Sequence, residues 1–245
     1  MQFYIAVSII ALYLSGINRI KFRKKANEML LSLRNLKQTR MENRKLQRIL
    51  DELDQDILRL FKFLDQFPNE ELNKKPSNDA WSVNQIIFHL MLSEQSSVAY
   101  VQRRISNSKG TFKKAGAASR LRALLLSTSM RQPLKLKAPE IDSVGIPEKS
   151  NFHYLKSRWL NQRKAMRDTL FAFENAVLDG ETFKHPVAGV MDIWGMLSFF
   201  ESHIQRHEKQ IKKTLRIVED FPVNPAQHSL GVQEAEQFDK GSENL

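Results

Sequence analysis

Four stretches of the chain repeat apolar residues at intervals of three and four, and that spacing leaves few folds open. The first runs from Glu42 to Phe67 through Leu46, Ile49, Leu50, Leu53, Ile57, Leu60, Phe61 and Leu64. The second follows Ser82 through Val83, Ile86, Ile87, Leu90, Val98 and Val101 to about Ser108. A third starts near Asn151 and carries Leu155, Trp159, Met166, Leu170, Phe173 and Val177 as far as Asp179-Gly180. The fourth shows Ile193, Met196, Leu197, Phe200, Ile204, Ile211 and Leu215. Each is the one-sided stripe of an amphipathic helix, and nowhere is there a convincing every-other-residue alternation of a strand. The expected fold is all-α, a four-helix bundle with a long crossover connection between helices two and three.

The punctuation agrees with this division. Pro68 and the polar stretch through Pro76 to Asp79 stop the first helix, because proline cannot continue the hydrogen-bond ladder. Ser82 followed by Gln85 has the form of a capping box. Residues 109 to 150 hold a short helical pattern, Ser119 to Met130, then Pro133, Pro139, Gly145 and Pro147. A loop with His185-Pro186 and Gly189 joins helices three and four.

Charge is distributed unevenly, which changes the meaning of a net +11. Residues 1 to 40 carry eight Lys/Arg against the single Glu28, and Arg103 to Lys137 adds ten basic residues with no acid. The remainder is mildly acidic. The Arg103–Lys137 strip has the charge to meet nucleic acid or an anionic membrane, although a solvated connector is the plainer reading. Phe3 to Ile17 is apolar but shorter than the roughly 20 residues of a spanning helix, and its basic residues follow it, the reverse of a secretory signal. It reads as a marginal membrane anchor, an amphipathic lead-in or, the preferred expectation, sequence upstream of a true start at Met41. The expected division is therefore an extension over 1–40, a bundle over 41–217 and a flexible polar tail over 218–245. The expected location is cytoplasmic, or membrane-tethered if residues 1–40 belong to the translated protein.

The chain has no cysteine, which excludes disulfides, cysteine zinc sites and a cysteine nucleophile. Any metal must be held by His, Asp, Glu or water. In the fourth helix His203 and His207 stand four residues apart, within about 6 Å on one side of the helix. His207 falls inside the apolar stripe and His203 at its edge. Two imidazoles in a dry stripe each need a partner, and a shared divalent ion provides one to both. His89, at the edge of the buried face of helix two, is a third candidate. With the fourth-helix pair it would make the three-histidine set that leaves one position open on a metal. A core histidine bonded to a neighbouring carbonyl is the competing reading, and the residues alone do not decide whether the three converge.

Taken in order, Trp81-Ser82-Val83 with His89-Leu90, the His185-Pro186 and Gly189 loop, and His203 and His207 with Gln210 resemble the landmarks of the DinB-like superfamily of four-helix metalloproteins. The likeness extends from about Met41 to about Leu215. It implies a metal triad of His89, His203 and His207, and members of this superfamily often pair as homodimers. Glu94 could hydrogen-bond a ligand histidine or simply be solvated. His185 more plausibly fixes its loop or lines the pocket than ligates. Trp81 and Trp194 read as packing anchors near helix starts, Trp81 with a place at the pocket, and His153 and His228 as surface residues.

Three neutral imidazoles holding zinc, nickel or manganese make a Lewis acid with an open position. The resemblance implies thiol-dependent transferases and an isomerase. The leading expectation is thus a transferase that presents a metal-bound low-molecular-weight thiol to an electrophilic small-molecule substrate. Hydrolysis by metal-bound hydroxide is the alternative within enzymes, and a non-catalytic module that binds through its basic crossover is the alternative outside them. No residue stands out as a general base.

Overall fold

The computed structural model describes residues 19–108, 111–132 and 145–220. The apolar run Phe3–Ile17, the tail from Phe221 with His228, and the end of the basic strip beyond Gln132 lie outside the described residues. In chain order the elements are α1 (Arg19–Leu64), α2 (Asn69–Asn73), α3 (Val83–Asn107), α4 (Ala117–Arg131), α5 (Phe152–Phe171) and α6 (Asn175–Leu178). They are followed by β1 (Phe183–His185), β2 (Gly189–Met191) and α7 (Ile193–Asp220). The fold is all-α in class, as the four stripes require.

The long helices α1, α3, α5 and α7 bury those stripes against one another. α1 packs on α5 and α7, and α3 packs on the same two. Leu50, Ile57, Phe61, Ile86, Trp159 and Phe200 are among the large side chains sealed in the resulting core. Phe61 meets Phe152 and Trp159 edge-on, with ring centroids 5.9 and 5.6 Å away. α4, within the connection between α3 and α5, lies along α7 and touches β2.

Helix starts follow the expected chemistry. Ser82 Oγ accepts from Gln85 N at 3.3 Å while Gln85 Oε1 accepts from Ser82 N at 3.0 Å, completing the capping box of α3. Asp192 Oδ1 accepts from Gly195 N at 2.8 Å at the start of α7. Its carboxyl is nevertheless pushed up by burial.

Three boundaries differ from the sequence reading. α1 is already helical at Arg19, where the described residues open, and passes through Met41 without interruption. The apolar period marks where this helix meets the core, whereas the Lys, Arg, Leu and Met before it sustain a helix by propensity alone. α5 stops at Phe171, and Phe173 and Val177 reach the interior from the break and from α6. Glu174, in extended conformation, is the N-cap that restarts the chain.

The third difference is a two-stranded antiparallel hairpin, β1 with β2, where no strand was expected. Strands of three residues are too short to show alternation, and the hairpin is held by its turn, with Gly189 at φ +86°. A close approach holds the preceding segment: a Cβ on Gly180 would lie 2.6 Å from Ala176 O and 2.7 Å from Phe112 Cβ. There Ala115 N donates to Asp179 O at 2.9 Å and Glu181 N to Lys113 O at 2.8 Å, tying the connection to the end of α6.

Candidate metal centre

The packing of α3 against α7 decides where the histidines go. His89 projects from the second turn of α3, His203 and His207 from consecutive turns of α7, and all three are buried, at 6%, 8% and 8% exposure. His203 Nε2 lies 3.1 Å from His89 Nε2 and 3.0 Å from His207 Nε2. The ligand-capable atoms of the three all fall within 4.8 Å of one another.

The donor chemistry of this cluster fits a cation. Gln210 Oε1 can only accept, so at 2.8 Å it takes the proton of His207 Nδ1 and leaves His207 Nε2 as a lone pair. A single hydrogen on His203 Nε2 cannot serve both neighbouring nitrogens at once. Adding protons is opposed by the surroundings. Burial, reinforced by repulsion from the other rings, holds His203 well below the usual histidine range, and burial first and His89 second push His207 down to about 3. A divalent ion resolves the arrangement, because tetrahedral metal–nitrogen bonds of about 2.0–2.1 Å set ligand nitrogens roughly 3.4 Å apart. The three rings could therefore hold a metal ion.

Aromatic rings wall the cluster. Phe199 stacks on His203 with centroids 4.9 Å apart and planes 20° from parallel, and the Trp81 ring is 5.0 Å from His89. His185 packs edge-on against Phe199 at 4.7 Å. Its Nδ1 accepts from Val187 N and Ala188 N, both at 3.2 Å, so it fixes the hairpin turn, and burial lowers its pKa to about 4.

Glu94 has a different place. Its Oε2 accepts from Trp159 Nε1 at 2.8 Å and its Oε1 from Arg163 Nη1 at 2.7 Å. Arg163 also bonds Asp54, which Arg167 shares with Asp51. Desolvation raises the Glu94 pKa against the pull of Arg163. This carboxylate thus joins an ion-pair network linking α1, α3 and α5, and it bonds neither as a solvated group nor to a triad ring. The sequence reading missed that network, and it missed Phe199. Phe199 stands four residues before His203, so helical spacing was available as a signal.

Trp194 is the packing anchor expected of it, donating to Asp179 Oδ1 at 2.9 Å beneath Lys45, whose Nζ is 3.7 Å from the ring centroid. His153 is exposed. The described part of the basic strip is partly spent internally. Arg122 donates to Val190 O at 2.9 Å and pairs with Glu181, and Arg131 pairs with Glu201. Arg103, Lys113, Lys114 and Arg120 stay exposed.

A family model of the DinB superfamily matches residues 52–211, well over half of the chain. The chain belongs to the DinB superfamily. The DinB match opens inside the packed part of α1 and closes on α7 just beyond Gln210, so all three histidines fall within it. It leaves out the N-terminal half of α1. Comparison with curated proteins gives no match.

Proposed function

We propose that this DinB-superfamily chain is a divalent-metal-dependent enzyme that transfers a low-molecular-weight thiol to an electrophilic small molecule. The observation that carries the reading is the buried convergence of His89, His203 and His207, with the His207 proton fixed away from the centre by Gln210. When bound, the ion supplies Lewis acidity that acidifies a coordinated thiol at neutral pH. The protein has no thiol of its own, so the nucleophile is a cosubstrate.

The chain's residues then have separate tasks. His203 and His207 stay neutral because burial opposes their charging. Phe199 and Trp81 restrict the rotation of His203 and His207's partner His89 and keep the centre dry. Hydrolysis at the same centre has less support, because it calls for a nearby acid or base and Glu94 is committed to Trp159 and Arg163.

The test is a panel of small thiols with an epoxide or aryl halide, run on full-length protein loaded with zinc, nickel or manganese. Turnover is expected with at least one metal and is expected to vanish in His203→Ala, which should keep its helical circular dichroism but not its metal. Equal turnover with and without metal contradicts the reading.

A further inference from the structure

The N-terminal half of α1 has no role in the metal centre or in the core. From Arg19 to Arg40 it carries eight Lys/Arg and one acid, Glu28. On the same stretch Leu31 is exposed on another side of the helix, and Met29, Leu30, Leu33 and Leu36 are exposed at 37%, 51%, 42% and 65%. At 100° per residue these four fall on one arc, and that arc is turned about a third of a revolution from the face that Leu46, Leu50, Leu53 and Ile57 bury in the bundle. The stripe is therefore not a continuation of the core face.

We infer that this half of α1 is an interfacial helix that lies on an anionic lipid bilayer, with its Leu/Met stripe in the acyl boundary and its lysines and arginines at the headgroups. Charge selects the occupant. A second copy of the helix would bring the same uncompensated positive charge against it, and the stripe is shorter than the three or four heptads of a self-standing coiled coil. Nucleic acid would satisfy the cations and leave the apolar stripe in water. A bilayer with acidic headgroups satisfies both. The sequence before the helix points the same way, since Phe3 to Ile17 contains no charged residue. No described helix is long and apolar enough to cross a membrane.

The experiment is co-sedimentation of the full-length protein with vesicles of phosphatidylcholine alone and of phosphatidylcholine with phosphatidylglycerol. Partitioning onto the anionic vesicles is expected to be at least about tenfold stronger and to weaken with salt. The combined Leu30→Ser, Leu33→Ser and Leu36→Ser variant is expected to lose about tenfold or more of that binding. Lys24→Glu with Lys25→Glu is expected to do the same. Circular dichroism and metal content should match the unsubstituted protein in both variants. Equal binding to neutral and anionic vesicles overturns the inference, as does anionic binding indifferent to the serine variant. So does sedimentation velocity showing a dimer, without vesicle binding, that the serine variant dissolves.

Discussion

Gln210 shows how much a single side chain decides at this centre. By accepting from His207 Nδ1 it selects the tautomer whose Nε2 faces the other two rings. Gln210→Leu removes that selection, and metal affinity is expected to fall about 10- to 100-fold, read by competition with a chromogenic chelator. His185 provides a test of sign in the acid range. Its folded pKa of about 4 lies below the ordinary 6.5, so between those values the unfolded chain holds the extra proton. Its stabilising contribution is whole above pH 6.5 and is lost as pH falls toward 4. Asparagine can present an acceptor oxygen to Val187 N and Ala188 N without titrating. His185→Asn is therefore expected to flatten the acid slope of stability by up to about 1.4 kcal/mol per pH unit in that window, measured by urea unfolding across pH.

At the scale of elements, the network around Arg163 ties three helices, with Arg163 and Glu94 almost without water and Asp54 partly exposed. Arg163→Met leaves Glu94 and Asp54 without their shared cation, and a loss of about 3–5 kcal/mol in unfolding free energy is expected, from denaturant titration. Replacing Glu94 by leucine in the same chain should recover part of it. The four stripes were legible because burial on one side of a helix imposes a period on the sequence. The break at Phe171 and the hairpin were not, since Phe173 and Val177 keep the period across the break and each strand offers only three residues. The earlier part of α1 was illegible for the opposite reason: most of the side chains described between Arg23 and Arg40 are exposed, so they carry no core period, and the helix persists on propensity.

For the whole molecule, what matters is which helices are neighbours. The His203 and His207 pair could be read from its spacing within one helix, and its inward face from the stripe around it. The addition of His89 depends on α3 lying beside α7, which periodicity within either helix does not encode. The same adjacency brings Trp81 to His89, while Glu94, only five residues further along α3, turns toward α5. The central claim is that rings from these two helices share one ion. X-ray absorption on the zinc-loaded full-length protein measures it directly. The expected result is one zinc per chain with three imidazole nitrogens at about 2.0–2.1 Å. Fewer than three imidazoles at the ion, or a chain that retains no zinc, would contradict it.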